Sequence, residues 1–413
     1  MALPAAAVAA RPARPVRPAL GPTSAAATLA LLMGLQPATT DIFLPALPAM
    51  THALGASMVA AQLTMSALIL AFGFGQMLWG PVADRVGRRP ILLGTLALYG
   101  VASAAGALAW NIELLIACRA AQGFTMAGAV VCARAMVRDL YAPIEGAQVM
   151  SLALSGLGLV AIGGPALGGL VTDWWGWRAA LLVVTLYGVV TLISVAWRVP
   201  ETLAHKNPHA TRLRPMLATW WAIARHPTFI AWTLLVACSY GGIFTWLAGS
   251  SFVLIDVLGL SPGAYGLAMA SVSIFYLVGT VVCRRVIRRR GVAGAVMRGA
   301  AFTALSAAVF GGVALFQPTS VWWLLLPQWI YCFGHGFHMP CGQTGAVAPF
   351  PRQAGAASAL AGFVLALVAF GIGRWLGGAL DGTLRPYAAG LGFWAAATSL
   401  IAWTLVRRHG ELR

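Results

Sequence analysis

The stretch 73–90, GFGQMLWGPVADRVGRRP, decides how the rest of the chain is read. It closes a long apolar run, then sets Asp84, Arg85, Arg88 and Arg89 within six residues, with Gly75, Gly80 and Gly87 around them. A tight charged turn between two hydrophobic runs suits the cytoplasmic face of a membrane protein, where cations gather. Composition agrees. Only 9% of the 413 residues are charged and 60% are hydrophobic, whereas a soluble domain carries roughly 25% charged residues. Soluble globular and disordered classes are thereby excluded. The formal charge of +17 would suggest nucleic acid in a soluble protein. Here the bias of membrane proteins toward cytoplasmic cations accounts for it, and no nucleic-acid partner is expected. Lys206 is the only lysine among the 27 cations.

Runs of about 20 apolar residues, enough to cross a bilayer, recur outward from this turn. The pattern predicts twelve spans, at about 25–50, 58–81, 90–110, 113–137, 148–171, 177–197, 228–255, 264–285, 292–315, 320–345, 354–380 and 386–406. An even number puts both termini on one side. If the tails and even-numbered turns are cytoplasmic, only Arg178 and Arg385 fall outside, and Arg119 and Arg374 lie within spans. Residues 1–24 alternate Arg11, Arg14 and Arg17 with prolines that forbid a regular helix. A disordered cytoplasmic tail is expected there, and the next apolar run is too long for a signal peptide. The six cysteines all fall in apolar spans, which implies buried free thiols and no disulfide framework.

Residues 198–227 are polar and basic and separate six spans from six. The halves echo each other: Gly75 to Gly87 aligns with Gly279 to Gly291 at an offset of 204 residues. IGGPALGG (162–169) likewise resembles IGRWLGG (372–378), in the fifth and eleventh spans. Such internal repeats mark transporter folds.

Of ten acidic residues, Asp41 alone sits well inside a span. An intramembrane carboxylate usually faces a cavity or partner and has a functional role. The alternative is a carboxylate satisfied by neighbours such as Thr39 and Thr40. Arg119 is the matching buried cation. At about 1.5 Å per residue, Arg119 lies about 9 Å below Glu113 and Asp41 about 13 Å below Met50, so the two share a depth. An Asp41–Arg119 pair, direct or through water, would couple protons; a static pair locking two helices is the other reading. His335 and His338 share a helix face and would relay protons, contact substrate or simply pack. No tight metal-ligand spacing accompanies them, so no metal is expected. Arg374 would meet an anionic substrate group or pair with an acid such as Asp381. Tyr240, Phe244 and Trp246 are candidates to stack on an apolar substrate.

The form Gly-x4-Gly-x3-Asp-Arg-x-Gly-Arg-Arg of the turn resembles the signature loop between helices 2 and 3 of the major facilitator superfamily. TTDIFLPALP (39–48) resembles the first-helix motif of the twelve-helix drug:proton antiporters, especially the Bcr/CflA branch, and Arg-x2-Gln-Gly (119–123) their fourth-helix motif. SGLGLVAIGGPALGGL (155–170), with Gly164, Pro165 and Gly168, resembles the fifth-helix antiporter motif. FTWLAGSSFVL (244–254) resembles the seventh-helix motif, with Ser251 where proline is usual. Span 10, continuing into 354–363, looks most like members that export chloramphenicol.

The resemblance implies an all-α integral membrane protein with the major facilitator fold: twelve transmembrane helices in two six-helix pseudo-symmetric halves, 25–197 and 228–406. A cytoplasmic linker, 198–227, joins them, with tails at 1–24 and 407–413. It implies export of lipophilic small molecules in exchange for protons, with the proton gradient as energy source and no cofactor. It further implies a bacterial inner-membrane location, cytoplasmic termini and a monomer in the lipid bilayer. Asp41 and Arg119 would couple protons. Gly75, Gly80, Asp84, Arg85, Gly87, Arg88, Gly164, Pro165 and Gly168 would serve gating, with Asp84 meeting a helix N-terminus of the other half. Proton-coupled transport of a metabolite such as an amino acid is the alternative. An enzyme is disfavoured because no nucleophile elbow or zinc-protease pair occurs, and a sensor because no room remains for a signalling domain. No P-loop is present, so ATP is not expected to bind.

Overall fold

The computed structural model describes residues 22–410 apart from Ala142. The tail expected at 1–24 thus lies almost wholly outside the described residues, and α1 (Pro22–Asp41) already includes Pro22 to Ser24. The span expected at 25–50 is two pieces. α1 stops at Asp41, a 3₁₀ turn follows at Leu44–Ala46, and α2 covers Leu47–Ala53. Pro45 and Pro48 cause the break, since neither supplies a backbone donor to the preceding turn.

The chain continues as α3 (Met58–Val86), α4 (Arg88–Ala107), α5 (Ile112–Leu140), α6 (Pro143–Trp175) and α7 (Trp177–Arg198). The linker contains α8 (Leu213–Ala224). Then come α9 (Pro227–Ser251), α10 (Pro262–Phe316), α11 (Trp322–Val347), α12 (Ala354–Ala379), α13 (Arg385–Ile401) and the short α14 (Arg407–His409). The described residues include no strand. At Ser251 α9 does not kink but widens into a π-turn at Phe252–Val257.

Among the described residues, ten helices are long and apolar enough to cross a membrane. One of them, α10, has 55 residues and turns at Gly291, whose φ is 70°. Gly87, which separates α3 from α4, has φ 123°. Both are left-handed positions that favour glycine, and they are related by the 204-residue offset. The helix ahead of each turn also packs alike: a Cβ at Gly75 would lie 2.7 Å from the Phe124 carbonyl, and one at Gly279 would strike that of Phe333. Around the periphery large apolar side chains stay exposed, Leu98, Val101, Leu186 and Phe316 among them. Water would not tolerate so much apolar surface; hydrocarbon does. This is a multi-pass membrane protein.

Two seams join the helices before the linker to those after it. α3 crosses α12, where a Cβ at Gly377 would lie 2.7 Å from Val59 Cα and one at Gly373 2.6 Å from Ser66 Cβ. Nearby, Gln62 Nε2 donates to the Ala248 carbonyl at 2.7 Å. α6 crosses α10, where Gly169 abuts Pro262 and Gly266 abuts Pro165. There Gly263 N donates to Asp173 Oδ2 at 2.8 Å. These contacts close the end of the bundle remote from the 80–90 turn. At the turn end the halves stand apart around a cleft of about 830 Å³. One wall of that cleft is α8, through Pro215, Met216, Thr219 and Trp220.

Candidate functional site

The site begins where α1 breaks. Thr40 Oγ1 donates to Asp41 Oδ1 at 2.7 Å. Asp41 is half-buried, and among the described residues no cation lies within ion-pair distance of it. α6 backs this break: a Cβ at Gly164 would lie 3.5 Å from Asp41 Cβ, and one at Gly168 would strike the Ile42 carbonyl. So the Gly164/Gly168 face of α6 packs against the break after Asp41, while Pro165 and Gly169 of the same helix meet α10. The 3₁₀ turn beyond touches α9 and α10.

Arg119 is 1% exposed and does not pair directly with Asp41. Its Nη2 donates to the Thr39 carbonyl at 3.1 Å and its Nη1 to Gln122 Oε1 at 2.6 Å. The guanidinium also lies 4.7 Å over the Phe43 ring, an attractive geometry for a cation. Gln122 Nε2 continues to Ser103 Oγ at 2.6 Å, and Thr39 Oγ1 bonds Tyr99 Oη at 2.6 Å. Arg119 thus meets the Thr39 carbonyl, two residues before Asp41, and makes no ion pair with Asp41. Depth is set by residue count, whereas the bond to Thr39 depends on α1 ending at Asp41, since carbonyls of a last helical turn lack a backbone donor.

Closer to the cleft is a central cavity of about 130 Å³. Gln36, Gln76, Arg134, Thr233, Tyr240 and Gln343 give it polar groups; Ile69, Phe72, Val236 and Leu365 give it apolar surface. Gln36 reaches it from α1, about 7.5 Å along the axis from Asp41 at 1.5 Å per residue. Gln76 and Arg134 line both cavity and cleft, so the two are continuous.

Of the six expected substrate contacts, only Tyr240 lines this cavity. Phe244 is buried behind it, ring centroids 6.2 Å apart. Trp246 is buried within the second half, its Nε1 3.0 Å from Met269 Sδ. His335 Nδ1 bonds Ser239 Oγ at 2.7 Å and its ring stacks on Tyr331. His338 is fully buried beside Gly299. Arg374, expected as a buried charge, is exposed on the outside of α12, about 7.5 Å from its C-terminal end. A long cationic side chain so near a helix end extends to the polar interface. Replacing Arg374 with glutamine should therefore change stability by no more than about 0.5 kcal/mol, since surface changes are usually small. Thermal unfolding of the two purified proteins reads this directly.

The turn at 80–90 is held from the linker. Arg88 bonds Asp84 Oδ1 at 2.5 Å and Asp139 Oδ2 at 3.2 Å. Arg85 Nη1 donates to Thr211 Oγ1 at 2.8 Å, and Asn207 N to the Asp84 carbonyl at 2.9 Å. Gly80 lines the cleft, and a Cβ there would make only an ordinary contact, 3.8 Å from Val131 Cγ1. Asp84 shares the cleft with Gln353 and Ala354 at the start of α12 but makes no bond to them. The expected contact of Asp84 with a helix N-terminus of the other half is therefore open in this conformation.

Glu201 was not singled out from sequence, yet it caps α4. Its Oε1 accepts from Arg88 N at 2.9 Å and its Oε2 from Arg89 N at 3.2 Å. A Cβ at Gly87 would lie 2.5 Å from Oε2, so the turn needs glycine for space as well as for φ. Partial burial pushes the Glu201 carboxyl up, but backbone donors from Leu203, Arg88, Arg89 and Thr202 outweigh it and hold the group below its ordinary value. The bonds favour the charged form, so their stabilisation is complete above the usual glutamate range, about 4.3. It is lost as pH falls through the lower folded value. Glu201→Ala should cost about 1 kcal/mol, as for other lost caps, and lower the melting temperature at pH 7. The deficit should shrink in a buffer series running below pH 4.

The sequence model of the Major Facilitator Superfamily matches residues 29–373. A chloramphenicol resistance protein of Pseudomonas aeruginosa is 31% identical over 326 residues, covering 78% of this chain and 75% of that one. Multidrug resistance protein D of Escherichia coli (strain K12) is 29% identical, covering 81% and 83%. Among solved structures, a D-xylose–proton symporter superposes with a TM-score of 0.75 at 15% identity, covering 95% of this chain and 99% of that one. A bacterial homologue of the human lysosomal transporter Spinster, in an inward-facing unoccupied conformation, gives 0.69 at 15% identity, covering 94% and 96%.

Proposed function

We propose that this chain, which belongs to the Major Facilitator Superfamily, exports lipophilic small molecules, phenicol-type antibiotics among them, in exchange for protons. The observation that carries the reading is the likeness to chloramphenicol and multidrug resistance proteins over three quarters or more of both chains. The central cavity supports it, since it offers apolar walls with a few convergent polar groups, the usual make-up of a small-molecule site.

In this reading α10 crosses the bilayer twice, once on each side of Gly291. α11, with 26 residues, is about 39 Å long at 1.5 Å per residue and crosses once. With the other nine helices that are long and apolar enough, twelve spans result. They divide into halves 25–197 and 228–406, with the 198–227 linker and the termini on the cytoplasmic side of a bacterial inner membrane. The chain works as a monomer, driven by the proton gradient with no bound cofactor.

The open cleft then faces the cytoplasm, and drug enters past α8 to the cavity at Arg134 and Tyr240. Rocking the halves opens the α3/α12 and α6/α10 seams and closes the cleft. Asp84 approaches the N-terminus of α12 as it closes, a helix-dipole contact of about 0.3–1 kcal/mol. Asp41 carries the proton, because it sits at the hinge between cavity and outer seam. Arg119 holds that hinge through the Thr39 carbonyl. The test is expression in an efflux-deficient bacterium, following chloramphenicol accumulation with and without a protonophore. Lower accumulation that the protonophore reverses is expected; unchanged accumulation across a panel of antibiotics sinks the proposal.

A further inference from the structure

We infer that Arg134 makes the central cavity select neutral and anionic molecules bearing a hydrogen-bond-acceptor head and reject lipophilic cations. The inference rests on the efflux reading above and specifies its substrate class. Arg134 lies on α5 where the 130 Å³ cavity meets the 830 Å³ cleft, and it lines both. Among the described residues it is the only charged side chain lining the central cavity, and no carboxylate lies within ion-pair distance of it.

A guanidinium does not deprotonate in proteins and presents five donors in a planar fork. Half-buried and without a counter-ion, it takes its acceptors from whatever enters. Nitro, carboxylate, sulfonate and phosphate groups match the fork with two oxygens each. Thr233, 3% exposed with a hydroxyl that has no partner, lines the same cavity. Phe72, Val236 and Leu365 receive the apolar body.

The approach has the same sign. Besides Arg134, the cleft is lined by Arg88, Arg138, Arg212 and Arg352, and its acid Asp84 is bound by Arg88. A cleft lined by one sign of charge between low-dielectric walls concentrates ions of the opposite sign. Asp41 is the nearest intramembrane acid, but it does not line the cavity. Two other roles are available to Arg134: a cation that only sets topology, or a partner for Asp84 when the cleft closes. Neither predicts discrimination by ligand charge.

Tetraphenylborate and tetraphenylphosphonium share shape and apolar surface and differ in charge sign, so their binding to the purified full-length protein isolates the effect. The parent should bind tetraphenylborate at least about tenfold more tightly, given the size of a single charge interaction near a protein surface. Arg134→Gln should bring the two within about twofold, Arg134→Lys should keep the preference, and Arg134→Glu should reverse it. Chloramphenicol, whose nitro group suits the fork, should bind more weakly to both the glutamine and the lysine variants. Equal or tighter binding of the cation by the parent overturns the inference without any variant. A preference that survives in folded Arg134→Gln overturns the assignment to this residue. If neither ion binds while the cells still expel chloramphenicol, the inference fails and efflux stands. If the charge preference appears but no drug is expelled, the Arg134 site stands and efflux fails.

Discussion

Replacing Asp41 with asparagine is expected to leave chloramphenicol binding in place and to abolish its pH-driven export. Asparagine keeps the shape of the side chain and an oxygen to accept from Thr40 Oγ1, the one side-chain bond Asp41 makes. What it removes is the exchangeable proton. In the parent the carboxylate has no fixed counter-charge within ion-pair distance among the described residues. In the proposed cycle the partner that neutralises it is a proton, taken up as the segment beside Gly164 and Gly168 moves. The gradient sets the magnitude: one pH unit is worth about 1.36 kcal/mol per proton, about tenfold in concentration. Inverted vesicles with a one-unit gradient should thus accumulate drug about tenfold per proton exchanged, and Asp41→Asn vesicles should not accumulate it. Exchange of labelled for unlabelled drug should continue in the variant, because it needs no net proton movement. Accumulation by the variant at the parent level would remove Asp41 from the coupling step.

The turn at 80–90 was legible because each of its features is local. A glycine at positive φ, a helix ending before it and a cluster of charges are all written in consecutive residues. The offset of 204 residues carries the same reading to Gly291, where the chain leaves helical geometry at φ 70° and a second turn divides α10. Side-chain direction was not legible. In a soluble helix the polar side marks the exterior, but here both sides of α12 are apolar, so nothing in the sequence told Arg374 to face outward. The same ambiguity makes Trp246, His335 and His338 look like cavity residues, although Trp246 meets Met269, His335 meets Ser239 and Tyr331, and His338 is buried beside Gly299, all within the second half. Arg134 is hidden in the sequence for the opposite reason. Near the end of a span a cation is explained by topology, and only the packing of α5 shows that it faces the cavity. Glu201 was passed over because its targets, the backbone donors of Arg88 and Arg89, have no sequence signature. The Asp41–Arg119 relation was half legible: the helices and depth follow from residue counts, while the bond to the Thr39 carbonyl depends on how α1 breaks.

That carbonyl makes Arg119 the residue with the second large expected effect. Its guanidinium is buried without a carboxylate, and its bonds to Thr39 and Gln122 run in two directions from one planar group. Arg119→Ala strands two buried acceptors, the Gln122 oxygen and the Thr39 carbonyl, at about 1–3 kcal/mol each. Loss of folded protein should therefore dominate that variant. Arg119→Lys separates fold from function. Lysine keeps the charge and most of the volume, but its compact ammonium cannot hold both acceptors in fork geometry. Its melting temperature should fall by less than that of Arg119→Ala, since one acceptor keeps a donor, while pH-driven export falls at least about tenfold, the factor set by about 1.4 kcal/mol of misplacement at this segment. If Arg119 acts by holding the segment that carries Asp41, the two substitutions lie on one path. Exchange of labelled for unlabelled drug is the readout that Asp41→Asn leaves intact, so Arg119→Lys, alone or combined with Asp41→Asn, should keep that exchange near the parent rate while pH-driven export is lost, as expected of groups sharing one network. A purely structural Arg119 predicts the opposite: an Arg119→Lys protein whose drug exchange falls together with its export and its melting temperature.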